Sequence, residues 1–193
     1  MLRKATNSDV KRLAEIHSTE LSKDFLPSLG KKFLELLYSN LIQSKDVYVW
    51  VVVKNNSIQG FIVGSKDFNS LFKKIIFRNF TKFAFLILPK LVKKIFMIKD
   101  IFDTFFYTKK MGDRISAELV VIAVSKKFHR KGLGRKLVFA LEKEFVKNHI
   151  NKYKVSVNDN NKVANSFYIS FGFRKSHDIV LYNKKINSYV KNL

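Results

Sequence analysis

The chain has 193 residues, 47% of them apolar, and a formal net charge of +22. That length and composition suffice for one sizeable core, so a single domain spanning 1–193 is expected. Cysteine is absent, which excludes disulfides, thiol nucleophiles and cysteine-based zinc sites and fits a reducing compartment, making the cytoplasm the expected location.

In chain order, "LRKAT" reads as a short strand, after which Asn7 or Ser8 is placed to cap a helix with Val10, Leu13, Ala14, Ile16 and Leu21 at helical spacing. A second helix, "LGKKFLELLYSNLI", puts Phe33, Leu34, Leu37, Tyr38 and Leu41 on one side. Two β-branched and aromatic runs follow, "DVYVWVVV" and "IQGFIVGS", and the "KNNS" between them signals a hairpin turn. Glu118 to Val124 is a further strand, apolar on both faces and hence central in its sheet. "GLGRKLVFALEKEF" returns to helical spacing, "YKVSV" is a strand, "NKVANSFYISF" a helix, and "FRKSHDIVLY" and "INSYV" close the chain as strands. The sum is an α/β or α+β protein, a mixed sheet with helices crossing between strands.

One region stands outside that pattern. Residues 66–110 hold 10 of the 19 phenylalanines, 11 Lys or Arg and only 3 Asp, a net charge of +8. Phe68, Leu71, Phe72, Ile75, Ile76, Phe80, Phe83 and Ile87 alternate with cations at helical period. Pro89 is expected to end that helix or open a second, which presents Leu91, Ile95, Ile98, Phe102 and Phe105. The region is therefore expected to be a two-helix insert between the third and fourth strands.

Chemistry concentrates in "KKFHRKGLGRKL", Lys126 to Leu137, where Gly132 and Gly134 stand between a buried strand and an amphipathic helix. The N–H groups of a helix's first turn bind anions, so a phosphate is the expected guest. The stretch is no dinucleotide fingerprint, since Leu137 takes the place of the third glycine, and no phosphate loop of the G-x-x-x-x-G-K-[ST] type occurs. His17, His129, His149 and His177 lack metal-ligand spacing and are expected at the surface or as caps; no metal site is expected.

"HRKGLG" resembles the pyrophosphate loop [R/Q]-x-x-G-x-[G/A] of the GNAT superfamily of acyl-CoA-dependent N-acyltransferases, departing from it at His129. About thirty residues on, "NKVANSFYISFGF" is similar to the family's N-x-x-A-x-x-x-Y-x-x-x-G-F pattern at Asn161, Ala164, Tyr168, Gly172 and Phe173. The resemblance covers the chain outside the insert. It implies a mostly antiparallel central sheet flanked by helices, with acetyl-CoA as cosubstrate and no metal.

The same resemblance implies direct transfer of the acetyl group to a primary amine in a ternary complex. Tyr168 holds the family's general-acid position, with a satisfied core tyrosine as the bland reading. Glu118 stands where several members carry the general base, with a solvated strand-end carboxylate as the alternative. An alkylammonium near pKa ~10 needs such a base before it can attack. The main-chain N–H groups of Arg130, Lys131, Gly132, Leu133, Gly134 and Arg135, with His129 opening the loop, form the implied pyrophosphate cradle. The carbonyl of Ile122 or Val124 and the side chain of Asn161 would meet pantetheine, although Asn161 serves equally as a helix cap.

The partner expected is a small-molecule amine. The insert and the "FLPSLGKKFLELLY" segment resemble those of bacterial GNAT proteins associated with surface-sugar pathways, which implies a nucleotide-linked amino sugar as acceptor; the +22 charge suits such an anion. A protein N-terminus or lysine as acceptor, and a nonenzymatic basic protein binding nucleic acid or a membrane surface, remain the competing readings. Nucleic acid is the weaker of those last two, because the cations form no dense stripe. The insert itself reads as an accessory helix pair, a lid over the acceptor, a homodimer contact or a peripheral membrane surface. No apolar run approaches the roughly 20 residues that span a bilayer, and the N-terminus lacks the apolar core of a signal peptide, so an integral membrane protein is not expected.

Overall fold

The structure, a computed structural model, describes residues 1–93, 99 and 115–193. A seven-stranded sheet runs in the order β1-β2-β3-β4-β5-β7-β6, with β1 Leu2–Lys4, β2 Val47–Lys54, β3 Ser57–Ser65, β4 Glu118–Val124, β5 Lys152–Asn158, β6 Arg174–Leu181 and β7 Lys184–Asn192. Every neighbouring pair is antiparallel except β4 and β5. The helices are α1 Val10–Glu20, α2 Phe25–Ser28, α3 Lys31–Gln43, α4 Phe68–Arg78, α5 Phe80–Lys93, α6 Leu133–Lys147 and α7 Lys162–Ser170.

The sheet separates two cores. On one face α1, α3, α4 and α5 bury Leu13, Ile16, Phe33, Leu37, Leu71 and Phe83 against Val49, Val51 and Phe61. On the other, α6 and α7 bury Leu137, Leu141, Phe145 and Tyr168 against Ile62, Leu119, Tyr153 and Val155. Strands with apolar residues on both faces are what a sheet covered on both sides requires.

Local chemistry explains most element ends. Asn55 and Asn56 both take positive φ between β2 and β3, as a two-residue hairpin turn demands, and Tyr182 and Asn183 do the same between β6 and β7. The start of the first helix departs from expectation. Asn7 and Ser8 lie inside a short 3-10 turn, Asn7–Asp9, and the capping is done by Thr6 and Asp9. The Asp9 carboxylate accepts from the Thr6 N–H at 2.8 Å and is clamped by both terminal nitrogens of Arg3, at 2.6 and 2.9 Å. That bidentate pair anchors β1 to the helix it precedes.

The helical insert does lie between β3 and β4, but its division is not at Pro89. The helix breaks at Asn79, whose amide donates to Asn40 Oδ1 at 2.9 Å and to the Ile75 carbonyl at 3.1 Å, so a side-chain cap tied to α3 ends α4. Pro89 stands within α5. The carbonyl it cannot serve belongs to Phe85, an exposed residue. The expected second-helix positions Ile95, Ile98, Phe102 and Phe105 lie outside the described residues.

Two glycines of β3 set how closely its neighbours approach. A Cβ at Gly60 would stand 2.8 Å from the main-chain oxygen of Ala123 in β4, and one at Gly64 would stand 2.3 and 2.9 Å from the two methyl carbons of Leu141 in α6. Gly60→Ala must push β3 from β4, because backbone cannot rotate away as a side chain can. A loss of about 1–3 kcal/mol in urea unfolding is expected; unchanged stability would mean that the two strands separate readily here.

Candidate active site

β4 and β5 run parallel but share a single paired position, Glu118 with Lys154. Beyond it the two strands have no further paired register, so the sheet opens toward their C-terminal ends. β4 also carries a bulge: Val63 pairs with Val121 and Gly64 with Leu119, leaving Val120 as the extra residue. An extra residue bends its strand and leaves main-chain groups unpaired. It also turns both Val120 and Val121 toward the α1/α3 face, where both line a cleft of about 480 Å³.

The cleft draws on α1, α3, the segment around α2, the opened strands and the β6–β7 turn. Ser156 and Asn158 of β5 line it opposite Val120 and Val121. Glu118 lies between Ala117 and Leu119, which both pack on the α6 side, so its buried side chain is directed to the cleft face. Lys154, between Tyr153 and Val155, shares that face. Across the cleft, Phe25 stacks on Tyr182 with ring centres 5.3 Å apart, and Lys184 Nζ donates to the Lys23 carbonyl at 3.1 Å. These contacts roof it. Phe68, at the start of α4, is the described insert residue that reaches it.

His17 is placed otherwise than its spacing predicts. It is buried at the cleft, with Nδ1 2.6 Å from the Tyr38 hydroxyl, and burial holds its pKa down at about 4. The imidazole is therefore neutral at pH 7. Tyr38 is itself sealed in the core, where burial pushes its pKa up, and the imidazole is its hydrogen-bond partner. A phenol in that position donates to Nδ1, which leaves the proton of the imidazole on Nε2. No sequence signal marked His17, because a histidine on the apolar face of a helix is indistinguishable from a core residue until its neighbours are known.

The glycine loop lies at the N-terminus of α6. Arg130 and Gly132 both adopt positive φ, and Gly132 is the residue before the first helical turn. Among the described residues no side chain caps α6, and the intrahelical bonding starts with Lys136 N–H to the Gly132 carbonyl at 3.1 Å. The N–H groups of Leu133, Gly134 and Arg135 thus point out of the helix end, together with its positive dipole. A Cβ on Gly132 would meet nothing within 4 Å, so the loop faces open space. His129 donates its Nε2–H to the Val124 carbonyl, 2.7 Å away, and so ties the loop to the end of β4. That contact occupies Val124, leaving Ile122 as the less committed of the two expected pantetheine carbonyls.

α7 brings the second motif to the first. A Cβ on Gly134 would lie 3.6 Å from the ring of Phe167, and the Arg135 guanidinium stands 5.7 Å from the centre of the Phe171 ring. Asn161 caps α7, its Oδ1 accepting from the Ala164 N–H at 3.1 Å. Asn165, unmarked in the sequence reading, fixes the helix to the sheet: its amide donates to the carbonyls of Asn158 and Asn161, while its oxygen accepts from Asn187 and Tyr189. One turn on, Tyr168 packs among Phe167, Phe173 and Tyr189. Burial pushes its pKa up, so the phenol stays protonated. Its hydroxyl has no hydrogen-bond partner among the described residues, yet is not one of the sealed polar atoms of the core.

Residues 109–187, which include both motifs, match the family model described as an acetyltransferase (GNAT) domain. That segment is a GNAT acetyltransferase domain. The chain is accordingly an acyltransferase. Its fold is shared with solved GNAT structures at low identity. Ard1 from Thermoplasma volcanium is 17% identical, with a TM-score of 0.63 over 100% of this chain and 97% of that one. The ribosomal-protein-S18-alanine N-acetyltransferase from Escherichia coli is 15% identical, with a TM-score of 0.64 over 100% and 92%. The PaiA N-acetyltransferase from Thermoplasma acidophilum, solved in complex with coenzyme A, is 16% identical, with a TM-score of 0.62 over 100% and 98%. No curated protein matches the sequence. Among the described residues of this GNAT protein, no three His, Asp or Glu side chains converge as metal ligands, and no helix is long and apolar enough to cross a membrane.

Proposed function

We propose that this GNAT protein transfers an acetyl group from acetyl-CoA to the primary amine of a small, anionic acceptor, such as a nucleotide-linked amino sugar. The observation that carries the acceptor class is the roofed cleft. The Phe25–Tyr182 stack and the Lys184 bond to the Lys23 carbonyl close over a volume suited to a drug-sized molecule and obstruct a threading peptide. Lys23 and Lys184 on the same rim favour a negatively charged guest.

The uncapped N–H groups of Leu133, Gly134 and Arg135 hold the pyrophosphate of the cosubstrate, with Arg130, Lys131 and Gly132 completing the loop. Asn161 Oδ1 is committed to its cap, so its Nδ2 is the group left for pantetheine. The amine nitrogen attacks the thioester carbonyl carbon while main-chain groups left unpaired at the Val120 bulge polarise its oxygen. Glu118 takes the ammonium proton, directly or through water. The C–S bond then breaks and Tyr168 supplies the departing sulfur with a proton or hydrogen bond, giving an amide and the free thiol of CoA. His17 is the wrong base for this step. Its pKa of about 4 lies some six units below that of an alkylammonium, a gap of about 8 kcal/mol, so it serves by orienting the acceptor.

Thiol release from acetyl-CoA, followed against pH with nucleotide-linked amino sugars, other small amines and peptides bearing a free N-terminus or lysine, tests the reading. Small anionic amines are expected to turn over fastest, and Glu118→Gln to lose activity mainly on the acid side. Efficient acetylation of peptides alone would establish the protein-acetylating alternative suggested by the name of the Escherichia coli neighbour. An unchanged pH profile in Glu118→Gln would remove Glu118 as the base.

A further inference from the structure

The helix pair α4–α5 buries one side in the core and leaves large apolar groups on the other. Phe77, Phe80, Phe85 and Leu88 are 74%, 62%, 81% and 63% exposed. They fall within twelve residues, and Phe77 and Phe80 are three residues apart across the Asn79 break, within roughly 11 Å even if the chain were extended. Scattered apolar side chains at a surface are ordinary, but four of this size on one helix pair mark an interaction surface. Their neighbours identify its chemistry. Residues 68–93 contain six Lys or Arg and no Asp or Glu, and Lys74, Arg78 and Lys82 are exposed beside the four apolar groups.

We propose that this face docks on an anionic lipid bilayer, with Phe77, Phe80, Phe85 and Leu88 entering the headgroup boundary and Lys74, Arg78 and Lys82 meeting lipid phosphates. A second copy of the chain is the poorer occupant, because like cations would face one another on a protein already carrying +22. A nucleic acid would satisfy the cations, but Leu88 offers no ring for a base to stack on, and no aromatic platform on a sheet is involved. A bilayer satisfies both halves of the pattern at once, which is the property of an interfacial amphipathic helix. The eleven residues of α4 span about 16 Å, so docking holds the acceptor cleft, reached by Phe68 at the other end of that helix, close to the membrane surface.

The test uses the full chain and vesicles of phosphatidylcholine alone or mixed with phosphatidylglycerol. Sedimentation with the mixed vesicles only, weakening as salt is raised, is expected. Phe85→Ser with Leu88→Ser should bind at least about tenfold more weakly with thiol release toward a soluble acceptor unchanged, since neither residue lines the cleft. A Phe85→Trp variant carrying Trp50→Phe should shift its emission to the blue on adding mixed vesicles. Emission already blue and insensitive to vesicles would show the face covered within the protein itself and overturn the proposal. So would vesicle binding that the Ser variants leave untouched, a dimer that the same variants dissociate, or single-stranded RNA bound more tightly than the vesicles.

Discussion

Tyr168→Phe is expected to lower turnover by about 100-fold or more while leaving the affinity for acetyl-CoA nearly unchanged. The hydroxyl removed has no hydrogen-bond partner among the described residues, so its loss orphans nothing, and the ring keeps its contacts with Phe167, Phe173 and Tyr189. The melting temperature should therefore stay level or rise slightly. This separates the two roles a buried tyrosine can play. A structural hydroxyl would cost stability and spare turnover, whereas a proton donor to sulfur costs turnover and spares stability. Burial pushes the phenol up, which keeps it protonated at all working pH values and suits it to stabilise the thiolate by donation. Turnover equal to that of the parent chain, measured under saturating acetyl-CoA, would remove Tyr168 from the reaction.

The second large effect is on stability in acid. His17 is neutral in the folded protein because burial holds its pKa at about 4, against 6.5 when solvated. Its contribution is therefore complete above pH 6.5 and is lost as pH falls toward 4, since the unfolded chain takes a proton that the folded chain refuses. Across that window the loss amounts to about 3 kcal/mol. Asp9 acts in a different range. The Arg3 guanidinium holds its carboxyl below the ordinary value, so its stabilisation is retained above 3.8 and lost only at lower pH. Urea unfolding at pH 7 and near pH 4 should show the drop in the parent chain and a much flatter dependence in His17→Gln, whose amide can still meet the Tyr38 hydroxyl. The same slope in both would mean that water reaches the His17 ring and solvates its charge.

The strands, most of the helices and the two motifs that carry the GNAT resemblance were legible in the sequence because each rests on local chemistry. Asn55 and Asn56 are turn residues wherever they stand between two apolar runs, and "HRKGLG" lies between strand and helix regardless of what packs on it. Helix ends were less legible where a distant partner decides them. Asn79 ends α4 by bonding Asn40, 39 residues earlier, and a proline that spacing would make a boundary is carried within α5. The exposed face of α4–α5 was equally hidden, since ten phenylalanines between 66 and 110 look the same whether they are buried or bare.

By itself, then, the sequence determined the order of most elements and the mixed sheet, which follow from short-range periodicity and spacing, while the glycine loop and the "NKVANSFYISFGF" segment carried the resemblance to the GNAT superfamily. Only the tertiary structure decided that "ELVVIAV" contains a bulge, that β4 and β5 part after one paired position, that His17 and Tyr38 meet across 21 residues at a cleft, and that the cleft is roofed by Phe25 on Tyr182. The reason is register. Which residue of β4 is left over depends on its pairing with β3, and an apolar run reads the same for every register it could adopt.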